Sequence, residues 1–451
     1  MSYIVPEALH TSAPVPAPEP KLTEEQRQAI LAAVEANWEK QVALTQELVA
    51  IPSLRNEEGA VQERLAAAFA ERGLEVDSWH MNPDELAAHP GAGSTDRDYE
   101  QALVVVGTHT PSVPEADQGP SLILNGHIDV VPVGAPEQWE RDPFEPAIVD
   151  GWLHGRGSGD MKAGLVGLLS AYDAIRAAGM EPAGRIHIES VPEEESTGHG
   201  TLATILRGYL ADAVLIGEPT DGAIERAQIG LMWVKIRLTG KAAHASIMKE
   251  GFNAIDAAYA MIGDLRKLED EWNIKAKENP LYAPIAHPIN FNVGTIRGGD
   301  WPSSVPDWCE MVVRTAVPVG MDVADGWEEI QERVHRAVLE NPGLEGATAT
   351  VERVGYFSNP HEVPEGSAQE ALLDEMVQYA TGDRPKKAAL TGYMDARLFG
   401  EYHDIPTLVY GPEVEGLHAP AEKVNLASVL ECTKTTALFI AEWCGVVPKA
   451  E

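Results

Sequence analysis

Cysteine is scarce in this chain: 451 residues hold three, Cys309, Cys432 and Cys444. Without a Cys-x-x-Cys spacing they give neither a thiolate zinc site nor a disulfide framework. A reducing cytoplasm is the expected compartment. Long apolar runs are missing too, and no stretch approaches the roughly 20 residues that cross a bilayer. No basic region followed by an apolar run opens the chain, so a secretory signal is not expected. Basic residues are few, 34 against 70 acidic ones, for a formal charge of -36. That balance repels nucleic acid and anionic membranes, so neither is an expected partner. The remainder, 44% hydrophobic and 23% charged, is ordinary for a globular protein. The length predicts more than one domain.

Residues 1–22, proline-rich from Pro14 to Pro20, read as a flexible arm. Thr23-Glu24-Glu25-Gln26 is a capping box opening a long amphipathic helix to about Leu48, with Ile30, Val34, Trp38 and Val42 on one face. A second helix over 57–72 stops at Gly73. Residues 82–120 read as irregular, apart from a buried strand over 102–107. Short apolar runs then end in polar residues. Residues 121–125 run into Gly126-His127-Ile128-Asp129, and 185–191 into Glu193-Glu194-Glu195. Residues 213–216 run into Gly217-Glu218-Pro219-Thr220, and 406–410 into Gly411, with His418 shortly after. A helix over 162–178 lies among them. Strands alternating with helices predict an α/β unit, a mostly parallel sheet flanked by helices. The middle differs. Strands over 232–238, 290–296 and 308–313, with helices over 252–268 and 326–339, read β-α-β-β-α-β. This predicts an inserted α+β ferredoxin-like unit at 227–354, interrupting a first unit made of 23–226 and 355–451.

His127, Asp160, Glu195, Glu218 and His418 are candidate ligands at strand-to-loop handovers. In open parallel sheets such residues converge on the rim at the strands' carboxyl ends. Two imidazoles and three carboxylates suit zinc, cobalt or manganese. Asp160, in the glycine-rich Gly155-Arg156-Gly157-Ser158-Gly159-Asp160-Met161-Lys162, is the natural carboxylate to bridge two ions. A nucleotide cradle is the competing reading of that loop. It lacks the Walker spacing and the Gly-Lys-Ser/Thr end, and Asp160 would repel a phosphate.

The stretches Gly126-His127-Ile128-Asp129-Val130-Val131-Pro132 and 155–164 resemble the metal-binding signatures of a dizinc metallopeptidase family. Its members include acetylornithine deacetylases, succinyl-diaminopimelate desuccinylases, aminoacylases and glutamate carboxypeptidases. Residues 194–200, 217–220, Gly240-Lys241-Ala242-Ala243-His244-Ala245 and 416–422 match further motifs, so the resemblance runs from about Lys40 to the C-terminus. It implies a zinc-peptidase-like catalytic unit with a lid and dimerisation insert, and two divalent ions. One ion would take His127, Asp160 and Glu218; the other, Asp160, Glu195 and His418. Glu194 would be the general base and Asp129 would orient His127. His244 would reach the active site of the partner in a homodimer. Arg397, Arg314 and Ser303 would contact substrate. Met394 stands where threonine is common, and Ser303-Ser304 where many members carry asparagine. The implied activity is deacylation of a small N-acyl amino acid. The same chemistry acting on a heterocyclic or aromatic amine, as a deformylase or deaminase, and a binding-only homologue are the alternatives.

Overall fold

The computed structural model describes residues 21–95, 97–363 and 365–449. The expected arm lies, up to residue 20, outside the described residues. Thr23 caps the first helix, Glu24–Val49, and the reciprocal Thr23–Gln26 bonds of the capping box both form. The helix buries Ile30, Val34, Leu44 and Leu48.

Six strands build the principal sheet in the order Glu75–His80, Leu103–His109, Ile186–Val191, Leu122–His127, Val214–Ile216, Thr407–Val409. Only Leu103–His109 runs against the others. The inner strands are buried along nearly their whole length, because helices cover both faces. One core packs helices Glu24–Val49, Ala163–Ala177 and Leu426–Cys444 against this sheet, through Leu48, Leu165, Leu169, Leu438 and Phe439. A second core on the other face gathers Val104, Val106, Ile123, Val214 and Leu398.

The inserted sheet is wholly antiparallel, in the order Phe291–Gly298, Trp308–Val317, Gly230–Thr239, Thr348–Ser358. Helices Ala254–Ala276 and Val323–Glu340 pack on one face around Met261, Leu265, Trp272 and Ile330. This is the expected ferredoxin-like arrangement. The first of its helices runs eight residues beyond the expected 268. Beyond that point Trp272, Asn273 and Ala276 keep the buried stripe going.

A further sheet was not foreseen. Val414–Glu415, Lys423–Asn425, Trp152–His154 and Ala147–Val149 pair in that order, in strands of two or three residues. Residues 82–120 do more than wander over the surface. Ser94 exchanges backbone bonds with Gly355 at 2.7 and 2.9 Å, and Tyr99 is fully buried. No helix among the described residues is long and apolar enough to cross a membrane.

Candidate metal centre

Three of the candidate ligands come from the carboxyl edge of the principal sheet. His127 ends one strand, Glu195 follows Val191 by four residues, and Glu218 follows Ile216 by two. The other two do not stand at ends of that sheet, which corrects the expectation that all five would. Asp160 precedes helix Ala163–Ala177, after strand Trp152–His154 of the small sheet. His418 sits in the turn between two other strands of that sheet, with a left-handed φ of 57°. Pairing of Lys423–Asn425 with Trp152–His154 therefore brings Asp160 and His418 together across 258 positions of sequence.

The donor atoms form two sets sharing one residue. His127 Nε2 lies 2.9 Å from Asp160 Oδ1 and 3.4 Å from Glu218 Oε1. His418 Nε2 lies 3.1 Å from Glu195 Oε1 and 3.3 Å from Asp160 Oδ2. Donors held about 2.1 Å from one tetrahedral ion stand about 3.4 Å apart, so both sets have the spacing of a coordination shell. Asp160 turns one oxygen toward each. His127, Glu194 and Glu218 also come within 4.8 Å of one another, as do His127, Asp160 and Glu195.

The electrostatics ask for added positive charge. Burial pushes the Glu218 and Glu194 carboxyls well above their usual range, against the pull of His127. Burial raises Glu195 as well, opposed by His418. Burial disfavours a charged His127, yet Glu218, Asp129 and Asp160 outweigh it and drive the imidazole well above its usual value. Glu195, with Asp160 behind it, raises His418 to about 11. Bound cations would meet the same demand without protons. The donor set, its spacing and its charge thus fit a pair of divalent ions.

The surrounding groups hold this geometry. His127 Nδ1–H donates to the Asp129 backbone carbonyl at 2.9 Å, fixing the ring. The Asp129 carboxylate, 3.5 Å from the same nitrogen, accepts the amide N–H of Glu194 at 3.3 Å and of Glu195 at 3.2 Å. Asp129 thus secures the acidic loop as well as the imidazole. Two acidic residues of this framework, Glu193 and Glu422, escaped sequence reasoning. Glu193, in a left-handed conformation (φ 68°), is gripped by the Arg55 fork at 2.5 and 2.8 Å. Thr197 and Tyr99 hydroxyls also donate to it. Glu422 pairs with buried Arg156 at 2.5 Å and accepts the amides of Gly159 and Asp160 at 3.0 and 3.2 Å. The run of three glutamates and the 416–422 motif were the only signals available for them.

The expected substrate contacts divide. Arg314 lines the cleft beside the ligands, a space of about 880 Å³. Arg397 does not reach its wall: the side chain is fully buried, donating to the Gly91 carbonyl at 3.0 Å with its charge over the Tyr393 ring. That corrects the expectation of an open carboxylate fork, since Gly91, Glu401 and the Tyr393 ring enclose the guanidinium. Ser303 and His244 lie exposed on the inserted unit, away from the cleft of their own chain.

Residues 123–442 match the model of the peptidase family M20/M25/M40. The chain belongs to this family. It is 28% identical to the N-formyl-4-amino-5-aminomethyl-2-methylpyrimidine deformylase of Halalkalibacterium halodurans, over 92% of this chain and 97% of that one. It is 26% identical to the succinyl-diaminopimelate desuccinylase of Paracidovorax citrulli, over 86% and 93%. In fold it is similar to the dipeptidase Dug1p of Saccharomyces cerevisiae, with a TM-score of 0.76 and 16% identity over 93% and 99% of the two chains. The chain is a metal-dependent amide hydrolase of this family.

Proposed function

We propose that the enzyme deacylates a small N-acyl amine, most directly an N-acyl amino acid, with Glu194 as general base. The observation that carries this is Asp160, divided between two complete donor sets with the carboxylate of Glu194 alongside. His127, Asp160 and Glu218 would hold one ion, and Asp160, Glu195 and His418 the other, with zinc the expected metal and cobalt or manganese also suited to the donors. Such ions would lower the pKa of a bound water and polarise the scissile carbonyl. Glu194, buried yet adjacent to the ligand Glu195, would take that water's proton and pass it to the leaving amine. Glu193 and Asp129 keep its loop in place. All five ligands and the base are present, which argues against a binding-only homologue.

In this reading residues 23–226 and 355–451 are the catalytic unit and 227–354 the lid and dimerisation unit. His244, exposed and with its ring nitrogen bonded to Ser246, would serve the partner's site in a homodimer, together with the neighbouring Ser303. Three free, buried cysteines fit a cytoplasmic setting. A second reading, a deformylase of a heterocyclic amine, is favoured by the sequestered Arg397 and by the pyrimidine deformylase among the relatives.

The test is Glu194→Gln, assayed with zinc on N-acetyl and N-succinyl amino acids and on N-formyl heteroaryl amines. Loss of a general base should cost about 100-fold or more in kcat, with metal content unchanged. An unchanged rate would sink the assignment. Turnover restricted to substrates without a carboxylate would select the second reading.

A further inference from the structure

Three side chains on the lid side of the cleft carry hydrogen-bond donors that no described residue accepts. Trp233 and Arg314 are direct cross-strand partners, so their side chains leave the sheet on one face, and both line the cleft. The Trp233 Nε1–H is shielded from solvent and has no acceptor. The Arg314 guanidinium meets no carboxylate among the described residues. The hydroxyl of Tyr356, a residue only 4% exposed, likewise has no hydrogen-bond partner among them. Buried donors left unpaired are rare in native proteins because each forfeits its hydration. Here one such donor, the Trp233 N–H, borders the cleft beside the half-buried Arg314 guanidinium and the Tyr356 hydroxyl.

The rings beside these donors form a slot. Tyr356 and Tyr393 lie 4.5 Å apart between centroids at 51°, and Trp233 meets Tyr356 edge-on at 5.4 Å and 82°. The slot is built in. Gly355 adopts φ +62°, and a Cβ there would fall 2.5 Å from Trp233 Cε3, so the bare backbone lets the indole pack against it. The two Ser94–Gly355 bonds pin that point to residues 82–120. The strand pairing is irregular at the same place, between Met232 and Trp233.

We infer that Trp233, Tyr356 and Tyr393 recognise the amine half of the substrate, and that this half is a flat aromatic ring bearing hydrogen-bond acceptors, either ring nitrogens or a ring carboxylate. The inference rests on the amide-hydrolase reading of the adjoining metal centre. Flat rings meet aromatic walls edge-on or offset-stacked, and the Trp233 N–H and the Arg314 guanidinium, which can only donate, call for acceptors from the occupant. An aliphatic amino acid could answer Arg314 through its carboxylate. It would leave the Trp233 N–H unpaired and the rings without a flat partner.

Calorimetry on zinc-loaded Glu194→Gln protein tests this without turnover. The probes are 5-aminomethylpyrimidine, 4-(aminomethyl)benzoate, benzylamine and cyclohexylmethylamine. At least one acceptor-bearing ring should bind about 10-fold more tightly than cyclohexylmethylamine, with benzylamine between. The first two probes tell ring nitrogen from ring carboxylate. Adding Trp233→Leu should weaken the best ring ligand about 10-fold. Trp233→Phe, which keeps an aromatic surface, and Tyr356→Phe should each cost about fivefold through the lost donor. Circular dichroism and metal content establish that each variant is folded, and the phenylalanine variants carry the test if the leucine variant is not. Equal affinity for aromatic and cyclohexyl amines, no binding at millimolar concentration, or unchanged ring binding in the folded variants would overturn the slot. Failure of the hydrolase reading would show separately, as ring-selective binding in a wild-type enzyme that hydrolyses no amide.

Discussion

Replacing Glu422 by alanine should separate how the metal centre is held from what it does. Glu422 and Arg156 are each about 1% exposed and meet at 2.5 Å. The other Glu422 oxygen accepts the amides of Gly159 and Asp160. Arg156 has little else to turn to: Nη2 reaches the Pro132 carbonyl only at 3.5 Å, and Nε has no partner. Removing the carboxylate strands a buried guanidinium, which costs about 3–5 kcal/mol. Against a total stability of about 5–15 kcal/mol, that is a large fraction. It should appear as a clear fall in the urea midpoint of metal-free protein. The same change frees the Asp160 amide, and losing a residue that orients a ligand weakens metal binding about 10–100-fold. A competitive chelator titration reads that loss. Two double variants divide the effects. Arg156→Met with Glu422→Ala removes the stranded charge and should recover stability, but not metal affinity. Arg156→Met with Glu422→Gln also returns a carbonyl oxygen to the two amides and should recover both. Unaltered metal affinity in Glu422→Ala would refute the positioning argument.

Other outcomes follow from the same packing. Gly164→Ala would place a Cβ 1.9 Å from the Gly217 carbonyl oxygen, forcing the helix after Asp160 away from the loop of Glu218. Overpacking of this kind costs about 1–3 kcal/mol, and chelator titration should show weaker zinc binding as well; wild-type stability and affinity would count against it. Glu189, fully buried with Asn125 and Thr204 as donors, has its carboxyl raised by burial to about 8. The folded state therefore keeps a proton that the unfolded chain releases above its ordinary value of 4.5. Stability should fall as pH rises from about 4.5 to 8, by at most about 1.4 kcal/mol per pH unit from this group. Glu189→Gln should flatten that slope in urea melts at stepped pH, and an unchanged slope would discount the group. Stripping metal with chelator should lower the thermal midpoint, and zinc at about 1,000 times its Kd should restore about 4 kcal/mol. A melt indifferent to zinc would remove the case for a built ion site.

The ligands were legible because they travel with local signals. His127, Glu195 and Glu218 each follow an apolar run, and a run of that kind ends at the sheet's rim wherever the chain next goes. The inserted unit was legible for a related reason: ten-residue strands such as Gly230–Thr239 and Trp308–Val317 are long enough to show alternation. The small sheet was not. Its strands of two or three residues carry no period, and their pairing joins positions more than 250 apart. The clamps on Glu193 and Glu422 were hidden because an acidic residue reads as solvated until its partner is placed beside it. Arg397 misled for the converse reason: a motif specifies a residue type, while residues 82–120, far away in sequence, help through Gly91 to decide whether its charge is open or covered.

Those same residues tie chemistry to recognition. The candidate ion-binding donors come from the principal and small sheets, and the Arg156–Glu422 and Arg55–Glu193 pairs fix their loops within that body. Across the cleft, the inserted sheet presents Leu231, Trp233 and Arg314, none of which is a candidate ligand. A change on this side can alter what is recognised and leave the hydrolytic centre intact. The Ser94–Gly355 bridge joins the two sides, so the segment that meets Arg397 through Gly91 also steadies the wall that holds Trp233. Closing off one candidate carboxylate site and building the aromatic slot both draw, on this view, on a single excursion of the chain.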